Sequence, residues 1–245
     1  MTQPRVALVT GSATGIGRSV AWRFAERGFS VTVNYSKSKA EAEETADGVR
    51  DRGAEVLVYH CDVSDDTAVR AMVERTGEEF GGLDVLVNNA ATTYFVPHHD
   101  LEGLTAKVWD DILNVNLKGT FFGCRAAMPY LKARRGNIVN IASVAGIAGS
   151  GSSIAYAASK GAVITLTKSL AKAFAPEVRV NAVAPGPVQT RWLADHQDMV
   201  EESMKVTPLK RPATPDDIAD ATIFLADGTT LMTGQILVID GGRTI

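Results

Sequence analysis

A doubly wound parallel sheet of about seven strands, with helices on both faces, is the α/β fold class this sequence predicts, and three observations predict it. Short apolar runs rich in β-branched residues recur seven times. Longer stretches with apolar residues every three to four positions separate them, and no internal repeat or linker-like tract breaks the alternation. Strands apolar on both faces demand a sheet covered on two sides, and parallel neighbours must be joined by crossover helices of one hand.

In chain order, RVALVT (5–10) is the first strand, and a glycine-rich turn leads into a helical pattern over 15–28. VTVNY (31–35) precedes the helix 38–52, and EVLVYH (55–60) precedes 65–80. LDVLVN (83–88) is followed by a long pattern over 107–133, and NIVNIAS (137–143) by one over 153–174 that ends near Pro176. VRVNAVA (178–184) and QILVID (235–240) flank a last helix at 215–226. The stretch 185–215 holds five of the nine prolines, so it reads as a loop with one short helix, placed where a lid or substrate pocket would lie.

The whole chain, 1–245, reads as one domain, and 45% apolar with 22% charged residues excludes disordered, collagenous and disulfide-rich classes. A net charge of -3 with scattered Lys and Arg argues against nucleic acid or an anionic membrane and for a small-molecule partner. No segment approaches the roughly 18 unbroken apolar residues of a membrane helix, and no secretory leader is visible, so a soluble, cytoplasmic protein is expected. Cys61 and Cys124 read as buried thiols, and no metal site is expected.

The turn TGSATGIG (10–17) joins the first strand to the first helix. Gly11, Gly15 and Gly17 permit a tight turn, close backbone approach and close helix packing, so a pyrophosphate can sit at the positive helix terminus. The spacing is GxxxGxG rather than GxGxxG, and a plain structural turn is the competing reading. The second strand ends in Asn34-Tyr35-Ser36-Lys37 with no acid before Glu41. Hydroxyls and a cation there favour the 2′-phosphate of NADP(H), with NAD(H) as the alternative and a solvated lysine as the ordinary reading.

In SSIAYAASKG (152–161), Tyr156 and Lys160 lie one helical turn apart on one face. A phenol titrates near 10, and an adjacent ammonium lowers that value, which makes the tyrosine a usable proton donor and acceptor. Small residues around the pair leave room for cofactor and substrate. The alternative is an amphipathic pair at a helix surface. Ser143, at the carboxyl end of the fifth strand, is placed to hydrogen-bond an oxygen held by the tyrosine.

Taken together, TGSATGIG, NNAA (88–91), Asn116 in NVNLKGT, Ser143, YAASK (156–160), PG (185–186) and DGG (240–242) make the chain resemble the short-chain dehydrogenase/reductase family, from residue 5 onward. The resemblance implies a Rossmann-type fold and a catalytic tetrad of Asn116, Ser143, Tyr156 and Lys160. Tyr156 would move the proton, Ser143 would hold the substrate oxygen, Lys160 would lower the tyrosine pKa and bind the nicotinamide ribose, and Asn116 would anchor a proton-conducting water. It also implies cofactor contacts from Gly11, Ser12, Thr14, Gly15, Ile16, Gly17, Tyr35, Ser36, Lys37, Asp62, Val63, Asn89, Ala90, Pro185, Gly186, Val188 and Thr190, besides Tyr156 and Lys160. Asp62 would meet the adenine amine, with a helix-capping role for it or Ser64 as the alternative. Ala91 replaces the usual glycine of NNAG, and Thr14 stands where many NADP-dependent members carry arginine.

The substrate loop is expected over about 187–212, with Thr93 to Val96, Phe95, Ile147, Trp192 and Met199 as candidate walls. The resemblance favours a small carbonyl or alcohol, free or acyl-carrier-bound as in 3-oxoacyl reductases, with a sugar, polyol or small ketone as the alternative. Lys132, Arg134, Arg135 and Lys172 are candidate carrier contacts. A dinucleotide-binding protein without turnover and an epimerase on the same fold are the remaining readings. The family likeness further implies a homotetramer paired through 107–133 and 153–174.

Overall fold

The computed structural model describes residues 4–194 and 196–245, without the side chains of Gln197 and Met199. Seven strands form one sheet in the order β3-β2-β1-β4-β5-β6-β7: β1 Arg5–Val9, β2 Phe29–Tyr35, β3 Val56–His60, β4 Val85–Asn88, β5 Asn137–Ile141, β6 Arg179–Pro185 and β7 Ile236–Ile239. Every pairing is parallel. The winding reverses between β1 and β4, so a crevice opens beyond their carboxyl ends, where open α/β sheets bind ligands.

The continuous apolar runs have the predicted cause. Ala7 and Val9 point to the layer of α1 (Gly15–Glu26), α2 (Lys39–Arg50) and α9 (Pro215–Ile223); Val6 and Leu8 point to the opposite layer. That second layer holds α3 (Asp66–Phe80), α5 (Thr120–Arg134) and α7 (Ile154–Phe174). Start signals are explicit: Thr214 and Asp217 form a reciprocal capping box ahead of α9, with Pro215 inside its first turn, and Asp65 caps α3.

The long pattern over 107–133 is not one regular helix. It is α4 (Ala106–Leu113), a π-turn over Asn114–Gly119, and α5. The widened turn is seated by Gly119, where a Cβ would lie 2.8 Å from Val63 Cγ2, and by Thr120 Oγ1 donating to Asn116 O at 2.7 Å. Such insertions occur mostly at functional sites. A four-residue helix α6 (Ala145–Ala148) after β5 was also unforeseen, and the 185–215 stretch holds a 3₁₀ turn at Arg191–Leu193 with α8 (Gln197–Val206). No described helix is long and apolar enough to cross a membrane.

A buried polar ladder crosses the sheet near the crevice. Asn88 Nδ2 donates to Asn140 Oδ1 and Asn140 Nδ2 to Thr167 Oγ1, each at 2.9 Å, tying β4 to β5 and β5 to α7. Removing the middle member strands two buried groups at once. Asn140→Ala is therefore expected to lower unfolding free energy by about 2 to 4 kcal/mol, seen as a lower urea midpoint at unchanged slope.

Candidate active site

The turn after β1 is shaped by its glycines and held by two asparagines. Gly11 (φ +60°) and Gly15 (φ +56°) occupy left-handed conformations. A Cβ on Gly11 would lie 2.8 Å from Ala90 Cα, and one on Gly17 would lie 2.6 Å from both Gly11 O and Asn89 Nδ2. Asn89 Nδ2 donates to Thr10 O and Gly11 O at 2.9 Å, and Thr10 Oγ1 accepts from Asn89 N and Ala90 N at 3.0 Å. From the other side Gly11 N donates to Asn34 Oδ1 at 2.9 Å. Thr14, the N-cap of α1, makes no side-chain capping bond, so the positive helix terminus opens into the crevice. The bare backbone cradle and the uncapped terminus suit a pyrophosphate.

A cavity of about 980 Å³ runs from this cradle in two directions. Toward the ends of β2 and β3 it is lined by Tyr35, Ser36, Lys37, Ser38, Asp62 and Val63, and beside the cradle by Asn89, Ala90 and Ala91. Asp62 Oδ1 accepts from Ser64 N (2.9 Å) and Ser64 Oγ (2.8 Å). Since Asp65 caps α3, neither Asp62 nor Ser64 fills that role, and the capping alternative for both is set aside.

Toward the ends of β5 and β6 the cavity reaches Ser143, Tyr156, Lys160, Pro185, Gly186, Val188 and Thr190. Ser153 caps α7 by accepting from Tyr156 N at 3.2 Å, which fixes Tyr156 in the first turn. Ser143 Oγ accepts from Ala145 N (3.1 Å) and reaches Pro185 O (3.5 Å), and it lies close enough to the Tyr156 hydroxyl to favour its ionised form. Lys160 is 3% exposed; its ammonium donates to Ile141 O at 2.7 Å and lies 5.8 Å from the Tyr156 ring centroid.

Burial pushes Tyr156 up to about 12, opposed by the nearby Ser143 hydroxyl, and pushes Lys160 down to about 8. Desolvation dominates both groups, and the ammonium is turned to a carbonyl behind the ring.

A family model described as Enoyl-(Acyl carrier protein) reductase matches residues 11–244. The chain is 43% identical, over 97% of its length and 95% of the relative's, to a granaticin polyketide synthase protein of Streptomyces violaceoruber named as a ketoacyl reductase. It is 39% identical, over 99% of each chain, to the 3-oxoacyl-(acyl-carrier-protein) reductase FabG of Staphylococcus aureus. A solved short-chain dehydrogenase/reductase from Burkholderia xenovorans superposes with a TM-score of 0.93 at 37% identity, covering 99% of each chain. The chain belongs to the short-chain dehydrogenase/reductase family. Membership brings a nicotinamide dinucleotide as cofactor, and the glycine cradle and uncapped α1 terminus suit one.

Not every residue expected in this dehydrogenase/reductase site faces the cavity. Ser12 is fully buried, its hydroxyl accepting from Asn34 N (3.0 Å) and donating to Val9 O (2.7 Å), and Gly17 packs behind the turn; both shape the cradle without lining it. Asn116 is also off the cavity wall. Its amide donates to Thr92 O and Ser159 Oγ, and its Oδ1 accepts from Thr92 N, so the side chain is spent on joining the 92 segment to α7.

The small residues around Tyr156 divide: Ser152 lines the cavity, whereas those on the other faces of the helix pack against protein. Ala155 packs with Val108 and Ile112 of α4, Ser159 meets Asn116, and Gly161 lies against Gly146, where a Cβ would be 2.4 Å from Gly161 N. Of the candidate walls, Thr93, Phe95 and Trp192 line the cavity, Ile147 is 49% exposed away from it, and the Met199 side chain lies outside the described residues.

Lys132, Arg134, Arg135 and Lys172 are at the wrong edge for carrier binding. They end α5 and α7, which return to the amino ends of β5 and β6, opposite the cavity, and Arg134 pairs there with Asp84. The cavity's cations are instead Lys37, Lys160, Arg191 and Arg243. Arg191 was missed because its partners are remote in sequence: it donates to Ser38 Oγ (3.2 Å) and pairs with Glu41 (3.7 Å), bridging the cavity at the end of β2.

The buried ammonium carries a pH signature. With Lys160 near 8 in the folded chain and at its ordinary 10.5 when unfolded, the unfolded state binds more protons between those values. The Lys160 contribution to stability therefore rises with pH across that window, and below it the full cost of burying the charge stands. Lys160→Met lacks this titration, so its stability relative to wild type is expected to fall by roughly 2 to 4 kcal/mol from pH 8 to 10.5, measured by urea unfolding.

Proposed function

We propose that this short-chain dehydrogenase/reductase transfers hydride between NADP(H) and a ketone or secondary alcohol of the 3-oxoacyl class, free or carrier-bound. The observation that carries the reading is that Ser143, Tyr156 and Lys160 line one end of a cavity whose other end offers Ser36, Lys37, Ser38 and Arg191. The names of the curated reductases support the oxoacyl class.

When bound, the dinucleotide supplies the hydride. Tyr156 then delivers the proton to the carbonyl oxygen, and Ser143 donates a hydrogen bond that holds this oxygen. Lys160, fixed by Ile141 O, supplies the positive field that eases phenolate formation as the proton leaves. Asn116 acts by position, locking the 92 segment against α7 so that the wall and the tyrosine keep their spacing.

At the other end, Ser36, Ser38, Lys37 and Arg191 suit a 2′-phosphate, and the first acid in sequence after β2, Glu41, is already paired with Arg191. The remaining Asp62 oxygen suits the adenine amine, Asn89 and Ala90 the adenosine ribose, and Val188 and Thr190 the nicotinamide amide. The loop 187–212 closes over the substrate within one domain. The apolar cleft formed by Phe121, Met128 and Phe174 between α5 and α7 supports pairing of that face with a second copy.

The test is oxidation of NADPH and NADH at 340 nm with short 3-oxoacyl esters. Tyr156→Phe is expected to cut turnover by about 10²- to 10⁴-fold with nucleotide affinity within twofold of wild type. Wild-type turnover in that variant removes Tyr156 from the reaction. In the same assay Lys37→Ala and Arg191→Ala are each expected to lower the NADPH-over-NADH preference about tenfold, and an unchanged preference places the 2′-phosphate elsewhere.

A further inference from the structure

One corner of the cavity is equipped for a charge that carbonyl reduction does not require. Arg243, in the turn that follows β7, lines the cavity half-buried, and among the described residues its guanidinium has neither an ion-pair nor a hydrogen-bond partner. Ser203 on α8 lines the same cavity, is 5% exposed, and its Oγ is buried with no hydrogen-bond partner among the described residues. A buried hydroxyl and an arginine left without partners are both costly, and they are tolerated where a ligand completes them.

The fold brings the segments that carry them together. Leu209 N donates to Gly241 O at 3.1 Å, and a Cβ on Gly241 would meet Thr207 Cγ2 at 2.8 Å, so the 240–243 turn is seated on the end of α8. Thr207 Oγ1 donates back to Ser203 O at 2.8 Å, placing Ser203 one turn away. The same turn abuts the proposed catalytic end: Gly186 N donates to Ile239 O at 2.9 Å, a Cβ on Gly186 would lie 2.9 Å from Asp240 Cβ, and Ser143 Oγ reaches Pro185 O.

We infer that Arg243 and Ser203 form an oxyanion subsite that selects carbonyl substrates carrying a terminal carboxylate or phosphate. This rests on the reading of the cavity as a carbonyl reductase site. Of the acids nearby, Glu202 is paired with Lys205, Asp198 lies in the first turn of α8, and the Asp240 carboxylate accepts from Gly242 N, Thr244 N and Thr244 Oγ1, so the guanidinium is the group at this corner that attracts an anion. Arginine's planar fork suits bidentate capture of either oxyanion, and Ser203 adds a donor.

Matched substrates test it: acetoacetate against ethyl acetoacetate, and dihydroxyacetone phosphate against dihydroxyacetone, with calorimetric titration of the same compounds into the nucleotide-loaded enzyme. In at least one pair the anion is expected to have a kcat/KM at least tenfold higher, with a KM that rises with ionic strength while the neutral partner's does not. The pair that discriminates separates carboxylate from phosphate recognition. Arg243→Gln is expected to erase the preference and leave the neutral substrate within about twofold, and Ser203→Ala to reduce it about threefold. Equal treatment of both members by wild type, or equal loss on both in Arg243→Gln, overturns the subsite. Turnover of neither member with anion binding intact by calorimetry, and lost in Arg243→Gln, retains the subsite and fails the reductase reading. Absence of anion binding overturns the subsite whether or not neutral ketones react.

Discussion

The hydrogen bond from the Lys160 ammonium to the carbonyl of Ile141 is the constraint around which the rest of the site is arranged. A charge this deeply buried needs a partner, and a single carbonyl satisfies only part of its demand. The bond joins the first half of α7 to the end of β5, so Tyr156, one turn earlier, and Ser143, two residues past Ile141, are held relative to one another by the same anchor. The close approach of Gly146 to Gly161 and the Asn116–Ser159 bond then leave α7 little freedom to shift. Burial that disfavours the charged form of both Tyr156 and Lys160 keeps a neutral phenol ready to donate, and it makes each group sensitive to any new charge brought alongside.

Around that anchor the sheet supplies distance. The carboxyl ends of β1, β2 and β3 carry the cradle and the end proposed to take the 2′-phosphate, while those of β5 and β6 carry the groups proposed to transfer the proton. The reversal of winding between β1 and β4 opens the space between them. Phe95 and His196 stack with ring centroids 3.6 Å apart, so the two loops that overhang this space already touch.

Much of this was legible in the sequence because it is local. The seven strands announced themselves by runs that are apolar on both faces, and Tyr156 and Lys160 by spacing that puts them on one face of a helix. What escaped is of two kinds. Arg191 meets Ser38, and Arg243 and Ser203 line the same cavity, from positions remote in sequence, and sequence distance carries no information about such pairs. The role of Ala155, Ser159 and Gly161 was misjudged because a small residue looks the same whether it faces a ligand or another helix. The placement of Lys132, Arg134, Arg135 and Lys172 was recoverable: crossover helices in a parallel sheet end at the edge away from the binding crevice, so their last turns cannot meet a ligand there.

Asn34 shows what a single buried amide can do for recognition. Its oxygen accepts from Gly11 N, and its nitrogen donates to Cys61 O at 3.0 Å and Tyr59 O at 3.3 Å, so the turn after β1 and the end of β3 hang from one side chain of β2. The surface proposed for the pyrophosphate and the surface proposed for the adenine are thereby joined in one template. A nucleotide arriving there finds its shape already made, and the entropy of ordering those loops has been spent in folding rather than in binding.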